Sequence, residues 1–214
     1  MKHQIQEQHV KNDHYKNMTY SSKGRFASYW HQIYDVTSLN PDTILEIGIG
    51  NGFFYNFIKQ NFNVNIHSLD VNPGLNPDHI GSVTNIPIYD KMYDCVACFQ
   101  VLEHLTFDNF EAAIAEMKRL TRKWIVLSLP DRNRFVGFKI HRKSFPIKKR
   151  EFKINIPYLK PNTLKFKGEH YWEIGAKGYP LKKIKSIFIN SDLKIIRTYR
   201  VFEHPIHRFF ILEK

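Results

Sequence analysis

No stretch of this 214-residue chain approaches the roughly eighteen uninterrupted apolar residues needed to span a bilayer. The opening segment "MKHQIQEQHVKNDHYK" is polar where a secretory leader would be greasy, so a cytoplasmic location with no membrane span is expected. Cysteine is nearly absent. Only Cys95 and Cys98 occur, inside the apolar string "YDCVACFQV". A C-x-x-C pair can carry redox chemistry or half of a zinc site, but no second pair completes one, and on a strand residues three apart point to opposite faces. Both are therefore read as small core residues, and no metal site is expected. Acidic residues are scarce in one region alone. Residues 1–138 carry 13 Lys+Arg against 14 Asp+Glu, whereas 139–214 carry 19 against 6. The densest basic run is "KIHRKSFPIKKREFK", Lys139 to Lys153. A solvated face accounts for such a run as well as a binding role does, yet an excess this one-sided raises the local potential and favours an anionic partner.

What is present suits one sizeable core: 43% of residues are hydrophobic and 14% aromatic. Apolar periodicity alternates between strand and helix. "YSSKGRFASYWHQIYDVTSL" has helical spacing, and "DTILEIGI" reads as a strand. "NGFFYNFIKQNF" is a helix expected to turn Phe53, Phe54, Phe57 and Ile58 toward a sheet. "VNIHSLD" is a second strand, followed by a Pro-rich link and a short strand in "HIGSV". "YDCVACFQVL" and "KWIVLSLP" are buried strands flanking an amphipathic helix, "FDNFEAAIAEMKRLT", with Phe110, Ile114, Met117 and Leu120 inward. After Pro130 the pattern weakens into a basic, aromatic stretch. A helix in "PLKKIKSIFINS" and a hairpin of "LKIIRTYRV" with "HRFFILEK" close the chain.

The fold expected is a Rossmann-like doubly wound α/β sheet, mostly parallel, with helices on both faces and a C-terminal antiparallel hairpin. It forms one domain over 1–214: an N-terminal helical segment (1–40), a cofactor-binding core (43–131), a substrate-side insertion (132–177) and the final helix and strands (178–214).

Chemistry concentrates at "ILEIGIGNGFF", where Glu46, Gly48, Gly50 and Gly52 alternate after a strand. Glycines there let the backbone approach a ligand at the carboxyl edge of the sheet. A dinucleotide fingerprint would need a third glycine at Phe53, where a ring would obstruct the pyrophosphate. Asp70 ends the second strand, 22 residues after Gly48, where a carboxylate can accept hydrogen bonds from both hydroxyls of an adenosine ribose.

"ILEIGIGNG", "LDVNPGLNPDHIGSVTNIPIYDKMYD", "CFQVLEHL" and "WIVLSLPD" together resemble the class I S-adenosylmethionine-dependent methyltransferases, in particular small bacterial enzymes with a "VLEH" signature. The resemblance covers about 43 to 131 well. It implies S-adenosyl-L-methionine as cofactor, with Glu46, Gly48, Gly50 and Gly52 around its methionine part. It implies Asp70 on the ribose, Val71 and Asn72 beside the adenine, Ser82 and Val83 at the adenine edge, and Phe99 and Gln100 facing the sulfonium and the acceptor. An Asp is common where Ser82 stands, so that contact is weaker here.

Methyl transfer mainly requires alignment and exclusion of water, although a hydroxyl acceptor benefits from a base. His104, in "VLEH", and His170, in "GEHYWEIG", are the candidates. A histidine that merely bonds a loop backbone is the plainer reading of His104. Arg132 and Arg134 offer forked donors to an anion. Trp172 offers a ring to stack on a sugar, although burial as an anchor is a tryptophan's commoner fate. The expected activity is O-methylation of an anionic small molecule or glycan unit. An RNA methyltransferase explains the charge equally well but lacks an N-P-P-Y-type tetrapeptide, "CFQV" standing in its place. A non-catalytic cofactor-binding scaffold is the third alternative. Oligomeric state is left open.

Overall fold

The computed structural model describes residues 20–140, 150–156, 163, 164, 166 and 169–214, with backbone alone for 138–140 and 150–156. Helix α1 (Lys23–Thr37) precedes β1 (Thr43–Ile47), α2 (Phe53–Asn61), β2 (Asn65–Asp70), the two-residue β3 (His79–Ile80) and β4 (Tyr93–Phe99). Then come α3 (Phe110–Leu120), β5 (Thr121–Pro130), β6 (Arg134–Ile140), β7 (Arg150–Ile156), α4 (Leu181–Asn190), β8 (Lys194–Arg200) and β9 (His207–Glu213). Seven strands form one sheet in the order β3-β2-β1-β4-β5-β9-β8. The first five run parallel, while β9 is antiparallel to both β5 and β8. The last two strands do pair, and β9 inserts between β5 and β8. Within the basic stretch, β6 and β7 pair antiparallel as a separate ribbon, an element the weak periodicity there did not announce.

Strand alternation sorts the core into two layers. Leu45, Ile47, Val96, Cys98, Ile125 and Leu127 face α3 and α4, packing on Phe110, Ile114, Met117, Ile184 and Phe188. Ile44, Cys95, Ala97 and Val126 face the other way, onto Val36, Phe54, Tyr55 and Ile58. The two cysteines thus lie in opposite layers as free buried thiols. Burial pushes both thiols far above their ordinary range, which leaves them inert.

Helix α2 differs from expectation. It buries Phe54, Tyr55 and Ile58, while Phe57 is 37% exposed. Phe53 stacks at 4.4 Å on Tyr29 of α1 rather than on the sheet. Helix α1 covers the start of α2 and rotates its apolar face, a contact between elements that periodicity within one helix cannot report.

Parallel pairing brings the carboxyl ends of β1, β2, β4 and β5 to one edge. Asp94 helps set that register at the opposite end, accepting from the Thr43 amide (3.0 Å), the Thr43 hydroxyl (2.9 Å) and the Asp42 amide (3.1 Å). Among the described residues no helix is long and apolar enough to cross a membrane.

Candidate functional site

A cavity of about 430 Å³ opens at that carboxyl edge. The β1–α2 turn forms one wall. Gly48, Gly50 and Gly52 all have positive φ, at 81°, 52° and 71°. A Cβ on Gly48 would stand 2.3 Å from Val101 Cγ2, so this turn closes only without a side chain. The Gly48 amide donates to the Leu69 carbonyl (2.8 Å), tying the turn to the end of β2.

Two carboxylates converge beneath it. Glu46 is buried in the sheet, and its Oε2 has no hydrogen-bond partner. Burial, and then the charge of Asp70, push the Glu46 carboxyl well above the usual range. Asp70 Oδ1 accepts from the Asn72 amide at 2.9 Å. Burial raises the Asp70 carboxyl too, opposed by the backbone amides of Asn72, Ile49, Gly50 and Val71. Those amides come from both sides of the crevice, so Asp70 braces the glycine turn as well as facing the cavity. Val71, Asn72, Leu75, Val83 and Phe99 continue the wall.

The β4–β5 side of the cavity is built differently. Gln100 directly follows β4 with φ of 56°, a strained value for a non-glycine residue. The amide orientation that satisfies its neighbours donates to Glu103 Oε1 (3.2 Å) and accepts from the Leu129 amide and Ser128 Oγ (each 3.2 Å). The chain then enters a short 3-10 turn, Leu102–His104, in which Glu103 is fully buried and its Oε2 is unpartnered. The Glu103 carboxyl is raised, chiefly by burial. His104 Nδ1 lies 2.8 Å from the Glu169 carbonyl oxygen. His170 Nδ1 lies 2.7 Å from Glu173 Oε1, and the two imidazole centroids are 5.1 Å apart. Burial alone would depress His170, but the Glu173 hydrogen bond and the charges of Glu103, Glu173 and Glu169 outweigh it and raise its pKa. Arg132 Nε is 3.4 Å from Glu173 Oε2.

His170 reaches His104 because the segment after the insertion is stitched to the sheet. The Tyr171 amide donates to the Glu103 carbonyl (2.9 Å) and Ile174 bonds across Pro130 and Arg132 (3.0 and 2.9 Å). Trp172 anchors the segment, 0% exposed and edge-on to Phe107 and Phe110, each at 5.0 Å.

Of the residues singled out from sequence, Glu46, Gly48, Gly50, Asp70, Val71, Asn72, Val83, Phe99, Gln100, His104, His170 and Arg132 line the cavity. Four do not. Trp172 is a core anchor rather than a stacking surface. Arg134 is exposed on β6, away from the wall. Gly52 caps α2, where a Cβ would meet Asn56 Nδ2 at 2.8 Å. Ser82 turns its Oγ to Thr84 Oγ1 (2.8 Å), closing a tight turn that leaves Val83 on the wall. The side chains of Lys139 to Lys153, and the N-terminal segment before Tyr20, lie outside the described residues.

Sequence reasoning missed Tyr20, Arg25, Tyr29 and Gln32, which approach from the α1 side, and Asp131 and His207 on the β5–β9 side. Asp131 is buried and accepts from Arg208 Nε at 2.6 Å. Burial pushes the His207 imidazole well below its ordinary pKa. Glu103 carried a signal, its place inside "VLEH", but its burial became visible only in three dimensions.

Residues 45–124 match a family described as a methyltransferase domain. An uncharacterized protein of Methanocaldococcus jannaschii is 31% identical over 182 residues, spanning 72% of this chain and 76% of that one. Among solved structures, a Burkholderia thailandensis 1,6-didemethyltoxoflavin-N1-methyltransferase with 1,6-didemethyltoxoflavin and S-adenosylhomocysteine bound superposes with TM-score 0.60 at 10% identity, covering 95% of this chain and 83% of that one. A SAM-bound amino pentose methyltransferase from Micromonospora echinaspora gives 0.57 at 14%, over 89% and 93% of the two chains. A SAM-dependent methyltransferase from Aquifex aeolicus gives 0.58 at 11%, over 96% and 99%. At such identities these structures speak for the fold.

Proposed function

The chain belongs to the class I S-adenosylmethionine-dependent methyltransferases, and from that premise we propose that it methylates an oxygen of an anionic small molecule or glycan unit. The observation that carries the reading is one cavity with two chemically distinct ends: a buried and a partly buried carboxylate, Glu46 and Asp70, at the glycine turn, and imidazoles with an arginine beyond Gln100.

The carboxylate end fits the cofactor. Glu46 Oε2, buried and unpartnered, is suited to an ammonium or hydroxyl donor, and the Asp70 carboxylate to the ribose hydroxyls. Gly48 and Gly50 offer bare backbone, and Val71, Asn72 and Val83 offer a slot for a flat base. When bound, S-adenosylmethionine supplies a methyl group on a sulfonium, already a good leaving group. The protein's task is then to hold the acceptor in line and keep water out. Phe99 and Val101 add apolar surface to the same cavity.

At the acceptor end, His104 and His170 each have Nδ1 held by an oxygen acceptor, which directs the proton to Nδ1 and leaves Nε2 as a Lewis base. Such nitrogens can take the acceptor's proton or hold a cation in its place. Arg25 and Arg132 are suited to a carboxylate or phosphate on the acceptor, and the excess of Lys and Arg in 139–214 adds long-range attraction.

The test is transfer of radiolabelled methyl from S-adenosylmethionine into cell extract fractionated into nucleic acid, glycan, lipid and small metabolites. Label in an acidic small-molecule or glycan fraction is expected. Label confined to nucleic acid would overturn the acceptor class, and cofactor uptake without labelling of any fraction would favour a scaffold.

A further inference from the structure

We propose that Glu103, His104 and His170 form a binding site for one divalent first-row transition ion at the acceptor end of the cavity. One ligand atom from each of these three side chains lies within 4.8 Å of those of the other two. Ligands held at about 2.1 Å around a tetrahedral ion are ~3.4 Å apart, so small side-chain rotations close the site.

Three features set this cluster apart from a chance meeting of polar groups. Glu103 is fully buried, and while Gln100 reaches its Oε1, its Oε2 has no partner. An ionised carboxylate in that position is costly until a cation or donor arrives. Secondly, both imidazoles are oriented from behind: His170 by the Glu173 carboxylate at 2.7 Å, His104 by the Glu169 carbonyl at 2.8 Å. A ring nitrogen so tied fixes the tautomer and raises the basicity of the other nitrogen, the arrangement that metal-bound histidines adopt. Thirdly, the ligands rest on rigid supports. Glu103 and His104 share one 3-10 turn, and the Tyr171 amide on the Glu103 carbonyl locks the His170 segment to it at 2.9 Å.

Two imidazoles with one carboxylate favour zinc, cobalt, iron or manganese over magnesium or calcium, which take oxygen-rich sets. Three protein ligands leave at least one position open to the cavity. An ion there would bind an acceptor oxygen and lower the pKa of an acceptor hydroxyl. That use rests on the methyl-transfer reading; ion binding does not.

The full chain is freed of metal by chelator dialysis and titrated with Co²⁺, following visible absorption, with Zn²⁺ as competitor. One equivalent is expected to bind, with displacement by Zn²⁺. Glu103→Gln and His170→Asn should each weaken uptake at least tenfold, and Glu173→Gln by roughly 10- to 100-fold. Near-ultraviolet dichroism checks that each variant is folded. If Glu103→Gln does not fold, His170→Asn decides alone, because His170 is partly exposed and belongs to neither core cluster. Absence of uptake by the wild type at millimolar Co²⁺ overturns the proposal. So does uptake that the folded variants retain, which would place the ion elsewhere. Calorimetry with S-adenosylhomocysteine on the same sample reports the cofactor site separately: ion uptake without cofactor uptake refutes the methyltransferase reading alone, and the converse refutes the ion site alone.

Discussion

Replacing Asp70 by Asn should have opposite effects on cofactor binding and on the stability of the ligand-free protein. Asn keeps the shape of the side chain, and its oxygen can still accept from the Asn72 amide that now donates at 2.9 Å. It removes a charge that burial disfavours and that raises the neighbouring Glu46 carboxyl. A carboxyl whose folded pKa lies above its unfolded value binds a proton more tightly when folded. It therefore costs stability as pH rises out of the ordinary carboxylate range, with the full cost present above the folded pKa. Asn removes that cost at neutral pH, so the melting temperature of the apo variant should match or exceed the wild type's. Cofactor affinity should fall. Charge-assisted hydrogen bonds contribute about 1.5–3 kcal/mol each against about 0.5–1.5 for neutral ones. Exchanging two of them should cost about 2–3 kcal/mol, which is roughly 30- to 150-fold in dissociation constant. Calorimetric titration with S-adenosylhomocysteine, beside thermal unfolding without ligand, tests both halves. Unchanged affinity would show that Asp70 does not touch the ribose. A large drop in apo melting temperature would show that its contacts with the glycine turn outweigh the burial of its charge.

Gly48→Ala should abolish measurable cofactor binding and lower stability by about 1–3 kcal/mol, because its Cβ would stand 2.3 Å from Val101 Cγ2 at a φ of 81°; denaturant unfolding with the same titration measures both. Trp172→Ala should cost about 3–5 kcal/mol in urea unfolding, since a fully buried ring packed on Phe107 and Phe110 leaves a cavity; a higher KM at unchanged stability would restore the stacking role that the fold argues against. Asp94→Ala should destabilise by about 1–3 kcal/mol near neutral pH through loss of the Thr43 and Asp42 hydrogen bonds. Burial opposes ionisation of Asp94, but the Thr43 and Arg122 bonds outweigh it and hold its carboxyl below the ordinary range. Its contribution is therefore present above the unfolded pKa and lost as pH falls through the folded one, so the wild-type and variant stability curves should converge in acid.

The strand–helix alternation, the turn at Gly48 and Gly50 and the acid at Asp70 were legible in the sequence because each follows from short-range rules: period, steric freedom, and a fixed chain length between two strand ends. The opposite facing of Cys95 and Cys98 followed from the two-residue period of a strand. Tertiary structure alone decided the rest. Which face α2 buries depends on α1 lying across it, and Trp172 became an anchor because α3 supplies Phe110 beneath it. His104 and His170 are 66 positions apart and meet because backbone hydrogen bonds from Tyr171 to Glu103 and from Ile174 to Pro130, with Trp172 as anchor, lay the later segment over the ends of β4 and β5. Local energetics are written in neighbouring residues. Juxtaposition depends on how distant elements pack, and no window of sequence contains that.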